Sequence, residues 1–123
     1  MDKLERIFEM QKYFQDDLIA RRHLEGVSME QWIQKQTLAM MSELSELIDE
    51  VNFKWWKNPR PVDEDRVKEE LVDILHFFVS MCLTSGMTAE ELFERYMAKN
   101  QENFDRQNGL SAKKGYESQG RAE

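Results

Sequence analysis

Ser42-Glu43-Leu44-Ser45-Glu46 and Glu69-Glu70-Leu71-Val72-Asp73-Ile74-Leu75-His76-Phe77, separated by about two dozen residues, decide how this chain folds. In each segment two carboxylates stand three residues apart inside an apolar pattern of helical period. Glu43 therefore shares a helix face with Glu46, and Glu70 with Asp73. Most acidic residues on helices are simply a solvated face. Here Glu70 and Asp73 share theirs with Ile74, Phe77 and Met81, and Glu43 and Glu46 border the stripe Met40, Leu44, Leu47, Val51. The run 71–83 is apolar nearly all round, which predicts a buried helix with Asp73 in its middle. A buried carboxylate must be paired, protonated or metal-bound, and the other helix offers more carboxylates rather than cations. Side by side, the two helices bring Glu43, Glu46, Glu70 and Asp73 together, a set of hard oxygen ligands suited to Mg²⁺ or Mn²⁺.

Working outward, the rest of the chain reads as helices. The first runs from about residue 2 to 24 on Leu4, Ile7, Phe8, Phe14 and Leu18, with Gly26 as its stop. Gln11 is the polar member of that stripe; a hydrogen bond to a backbone group at a helix contact would account for it. The second helix opens on a capping box, Ser28 with Gln31, and carries Trp32, Ile33, Leu38, Met41, Leu44, Leu47, Ile48 and Val51. It passes into Phe53-Lys54-Trp55-Trp56-Lys57, where the tryptophans either cap the core or stack on a base with ammonium groups near phosphates. Asn58-Pro59-Arg60-Pro61-Val62 is a breaker. A third helix spans about 63 to 85 and stops at Gly86; a fourth starts at Thr88, with Glu91 three residues on, and continues through Phe104. The expected fold is all-α, a bundle of four to five helices. Residues 1–107 form the helical catalytic domain, and 108–123 a polar tail that is mobile without a ligand.

Composition narrows the function. At 123 residues the chain is one domain with a modest core, too small for four helices to cover every face of the third, so a homodimer is expected. A net charge of −7 argues against a nucleic-acid polymer as partner. The single cysteine, Cys82, fits a reducing cytosol and reads as core. No signal peptide is visible, and the longest apolar run contains Asp73 and His76 and is short for a bilayer, so a cytoplasmic location without a membrane partner is expected. No Gly-rich phosphate loop is present. Carboxylate-held Mg²⁺ usually keeps waters and binds substrate phosphates, so the chemistry that suits these residues is phosphoanhydride hydrolysis.

The spacing Glu43-x-x-Glu46 … Glu70-x-x-Asp73 resembles the MazG-like all-α nucleoside triphosphate pyrophosphatases. Phe8-Glu9-Met10-Gln11, Phe53-Lys54-Trp55-Trp56-Lys57, Glu69 to Phe77, Lys99-x-x-x-Asn103-x-x-Arg106-Gln107 and Gly115-Tyr116 resemble, more narrowly, the dimeric dUTPases. That resemblance implies that Glu43, Glu46, Glu70 and Asp73 bind a pair or more of Mg²⁺ ions and that Glu46 orients and deprotonates the attacking water. It implies that Gln11 reads the uracil edge, Trp56 (or Trp55) lines the base pocket, and Phe77 packs on the deoxyribose. Lys57, Lys99, Asn103, Arg106 and Tyr116 would hold phosphates or close over the nucleotide, and His76 would support the site from behind. The implied reaction is dUTP plus water to dUMP and pyrophosphate. Two departures bear on the base: Phe14 stands where some members carry a second amide, and extra residues separate Gln107 from Gly115. A house-cleaning pyrophosphatase acting on dCTP or a broader nucleotide set is the alternative. Asp73-x-x-His76 faintly resembles a di-iron motif, and a non-catalytic helical binding module is the reading from a different class.

Overall fold

The computed structural model describes residues 1–117, and among them every regular element is a helix: α1 Lys3–Arg22, α2 Met29–Glu50, α3 Glu64–Thr84 and α4 Ala89–Gln107. The chain divides into two compact units, Met1–Thr88 and the segment from Ala89 onward. Among the described residues no single helix is long and apolar enough to cross a membrane.

The helix ends follow local chemistry. Asp2 caps α1 through a 2.8 Å bond from the Glu5 amide to Oδ1. α1 stops earlier than Gly26: His23 takes the left-handed conformation (φ 55°), and the Leu24 N–H returns to the Ile19 carbonyl. The Ser28–Gln31 capping box at α2 is complete, with both reciprocal bonds formed. Asp63 caps α3, and Gly86 (φ 81°) turns the chain out of it, donating to the Leu83 carbonyl. Between α2 and α3, left-handed Asn52 clamps the Arg60 backbone from both sides, its Nδ2 donating to the carbonyl and its Oδ1 accepting from the amide. Arg66 pairs with the nearly buried Glu50 at 3.1 Å, tying the start of α3 to the end of α2.

α3 packs against both α1 and α2. The buried centre of this unit is small: Phe8, Val79 and Cys82, joined by the polar Gln11, Gln36, Glu70 and Ser80. The expectation that α3 is buried all round does not hold. Leu71, Val72, Leu75 and Phe78 are 40% to 53% exposed, and Asp73 is exposed as well. On α2, Met41, Leu44, Leu47, Ile48 and Val51 line an open apolar groove. The second unit is α4 with a return segment. Past Gln107 the Leu110 amide reaches back to the Asp105 carbonyl at 2.8 Å, with Gly109 in the left-handed region. Residues 118–123, the end of the expected tail, lie outside the described residues.

Candidate active site

One carboxylate is deeply placed, and it is Glu70 rather than Asp73. α3 turns Glu70 inward against α2, where it is 7% exposed. Oxygens of Glu43, Glu46 and Glu70 lie within 4.8 Å of one another. Glu43 Oε2 and Glu70 Oε2 are shut off from solvent, and each lacks a hydrogen-bond donor among the described residues. Burial, reinforced by Glu43 and Glu46, pushes the Glu70 carboxyl up to about 7. Three converging carboxylates, two of them with an orphaned oxygen, match the demand of a hard divalent ion for oxygen ligands. Asp73, one turn further along α3, lies outside this trio but lines the adjoining cleft beside Glu43. His76 is turned to Gln11, so the trio contains carboxylates only and lacks the imidazole a di-iron motif requires.

The cleft holds about 420 Å³, a size in the range of small-molecule sites. α1 contributes Gln11, Phe14, Gln15 and Leu18; α2 contributes Trp32, Gln36 and Glu43; α3 contributes Asp73, His76, Phe77 and Ser80. At its floor Gln11 is held from two sides. Its Nε2 donates to Ser80 Oγ at 2.8 Å, and its Oε1 lies 2.7 Å from His76 Nδ1. The partners of Gln11 are therefore side chains rather than a backbone group, and His76 does support its neighbour. Flat apolar walls beside a few convergent amides, opening onto a carboxylate trio, can accept a planar heterocycle that carries phosphates.

The profile of the dUTPase family matches residues 3–90, which include all of these groups. The chain belongs to the dUTPase family. Within the family's neighbourhood it is similar to the dCTP pyrophosphatase of Enterobacteria phage LZ5, 36% identical over 74 residues, which make up 60% of this chain and 43% of that protein. It is also similar to the dCTP pyrophosphatase of Enterobacteria phage T4, 51% identical over 47 residues, 38% of this chain and 28% of that protein. The chain thus spans less than half the length of these relatives. No solved structure matches it.

Other expected residues lie elsewhere in this dUTPase-family chain. Trp56 and Lys57 sit on the α2–α3 connection, outside the residues that line the cleft. Trp56 is 60% exposed and meets Phe53 and Trp55 edge-to-face. Phe77 does line the cleft, and the tryptophan that accompanies it is Trp32, with Phe14 from α1. The sequence holds a signal for Trp32: it precedes Glu43 by 11 residues, three helical turns, and so shares its face. In the second unit Asn103, Arg106 and Tyr116 come together. The Arg106 guanidinium lies 5.5 Å from the Tyr116 ring centroid and 3.5 Å from Asn103 Oδ1. Glu102, which the sequence did not single out, is the anchor there. It accepts from Ser111 Oγ at 2.6 Å and from Arg106 Nε at 3.1 Å, and these bonds hold its carboxyl below the usual range. Lys99 lies one turn before Asn103 on the same helix.

Proposed function

We propose that this chain is a divalent-metal-dependent pyrophosphohydrolase of pyrimidine deoxynucleoside triphosphates. The observation that carries the reading is the Glu43–Glu46–Glu70 trio opening beside a nucleoside-sized cleft lined by aromatic rings and amides. Glu43, Glu46 and Glu70, with Asp73 at the cleft edge, would hold Mg²⁺ or Mn²⁺. Such an ion would supply neutralisation of phosphate charge and a more acidic water. Glu46 is the exposed member of the trio, and it orients the attacking water and takes its proton. The water oxygen bonds to phosphorus, the bond between the α and β phosphates breaks, and the products are a monophosphate and pyrophosphate. Trp32 and Phe77 sandwich the base and sugar, and Gln11, fixed by Ser80 and His76, offers its remaining amide hydrogen to the base edge. For Trp56, Lys57, Lys99, Asn103, Arg106 and Tyr116, contact with the nucleotide remains the proposal that the resemblance makes.

dUTP is the substrate to which the family's name points. A second reading, dCTP, draws on the names of the two phage relatives. The deciding assay is a nucleotide panel with Mg²⁺, scored for monophosphate and pyrophosphate. The expected result is release of pyrophosphate from dUTP or dCTP that stops with chelator; orthophosphate as the product, or no turnover on any nucleotide, rejects the reading.

We also propose that a second copy of the chain covers the apolar rows Leu71, Val72, Leu75, Phe78 and Met41, Leu44, Ile48, Val51. Exposed apolar surface on this scale is costly for a lone chain and typical of an isologous interface. Sedimentation at micromolar concentration should give a dimer, and Leu75→Asp should shift it toward monomer. A monomer from the parent chain rejects the assembly.

A further inference from the structure

The groups of the candidate site follow one another along α2. Trp32 and Gln36 line the cleft, Glu43 and Glu46 belong to the carboxylate trio, and Asp49 comes three residues after Glu46. The rise of a helix places Glu43 about 10 Å beyond Gln36, and Asp49 about 4.5 Å beyond Glu46. Asp49 borders a second hollow, of about 140 Å³, whose other polar lining is Asn52, Lys54, Lys57, Asn58 and Arg60. Three cations against one carboxylate make this hollow basic, in a chain whose net charge is −7.

The wall is fixed by the loop itself. Asn52 holds the Arg60 backbone through both ends of its amide. Arg60 Nη2 donates to the Asp49 carbonyl at 3.2 Å, and Lys54 Nζ lies 3.5 Å from the Asp49 carboxylate. Arg60 also stands 4.0 Å from Glu50, a carboxylate that Arg66 already holds at 3.1 Å. An open depression joins the hollow to the trio, since it shares Glu46 with the trio and Asp49 and Arg60 with the hollow. Its remaining charged residues are Glu50 and Arg66, paired with each other, and Asp63, whose Oδ1 accepts from the Asp65 and Arg66 amides.

The hollow is much smaller than the 420 Å³ cleft and has no room for a nucleoside. A small, multiply charged anion suits both its size and its sign. The order along α2 is therefore cleft, carboxylates, cations. A nucleoside triphosphate runs in the same order: base and sugar, the linkage to be opened, then the terminal phosphates.

Resting on the nucleotide-hydrolase reading, we propose that Lys54, Lys57 and Arg60 form the subsite for the pyrophosphoryl group, the two terminal phosphates that leave as pyrophosphate. The resemblance assigns a phosphate to Lys57; Lys54 and Arg60 are what the fold adds. These residues hold the same two phosphates before and after the linkage opens, so their part is binding and charge neutralisation, with no proton moved. Lys54 is the residue to vary, because Arg60 also braces the loop.

The experiment is calorimetry with inorganic pyrophosphate, dUMP and dCMP, each with Mg²⁺, on the parent chain, Lys54→Met, Lys54→Arg and Lys35→Met, with Tm as a check on folding. Lys35 lies on α2, outside the lining of both cleft and hollow. Lys54→Met should weaken pyrophosphate about tenfold, the loss of one charge-assisted hydrogen bond, and leave the monophosphates within about twofold. Lys54→Arg should restore most of the loss, and Lys35→Met should bind as the parent does. Pyrophosphate should also inhibit nucleotide hydrolysis, and Lys54→Met should weaken that inhibition by the same factor. The subsite is overturned by a parent that binds no pyrophosphate, by parent-like affinity in Lys54→Met, or by an equal loss on the monophosphates or in Lys35→Met. The two readings fail separately. A parent that turns over no nucleotide removes the hydrolase reading, while Lys54-dependent pyrophosphate binding still upholds the subsite; turnover with pyrophosphate binding indifferent to Lys54 removes the subsite alone.

Discussion

Replacing Glu70 by Gln should lower kcat/KM for the best nucleotide by on the order of a thousandfold, because a metal ligand with no substitute is lost. The same change should raise the Tm of the metal-free protein at pH 8 by several degrees. The two effects have one cause. Glu70 is buried against Glu43 and Glu46, and without a cation its ionised form is disfavoured by desolvation and by its neighbours. Gln keeps the shape and removes the charge. Asp73→Asn is the informative comparison. Asp73 is exposed and outside the trio, so it should lose activity as a ligand at the cleft edge while leaving the metal-free Tm near the parent's. Parent-like turnover in Glu70→Gln would end the metal-site assignment. Loss of activity together with a lower Tm would show that Glu70 serves the fold instead.

Helical period and cap chemistry were enough to find the start of α2 and both ends of α3, because Ser28, Gln31, Asp63 and Gly86 act within a few residues of themselves, while the end of α2 at Glu50 carried no such signal. The same period placed Glu43, Glu46 and Glu70 on facing surfaces. What period cannot report is what covers a face. The run 71–83 is apolar nearly all round, yet Leu71, Val72, Leu75 and Phe78 are 40% to 53% exposed, and Asp73 is exposed with them. Composition also drew attention away from the tryptophan that lines the cleft. Trp55 and Trp56 stand out between lysines, but they are held by one another and by Phe53 on a loop, whereas Trp32 lines the cleft while looking like one more apolar position of α2. Gln15 gave no signal at all. Beside Asp16 and Asp17 it reads as part of a solvated face, whereas in the fold its Oε1 is shut off from solvent.

Metal-free protein should lose thermal stability as pH rises from 5 to 8, and Mg²⁺ should reverse that trend. The Glu70 carboxyl has its ordinary value of 4.5 in the unfolded chain and about 7 in the folded one. Between those values the folded state holds a proton that the unfolded state has released, so each step up in pH favours unfolding, and the full penalty is in force above about pH 7. An ion that binds the three ionised carboxylates acts in the other direction. It competes with the proton at low pH and binds best at high pH. At a hundredfold excess over its Kd a ligand of the folded state adds about 2.7 kcal/mol, which for a chain of this size moves Tm by roughly 10 °C. Thermal melts at pH 5, 6.5 and 8, with chelator and with Mg²⁺, measure both slopes. In chelator Tm should fall across the series; with Mg²⁺ it should hold or rise, and the gap between the two should be widest at pH 8. Glu70→Gln should flatten the chelator series and shrink the Mg²⁺ gap. A flat chelator series in the parent would show that Glu70 does not titrate in this window, and equal Mg²⁺ shifts at pH 5 and pH 8 would place the bound ion on carboxylates outside the trio.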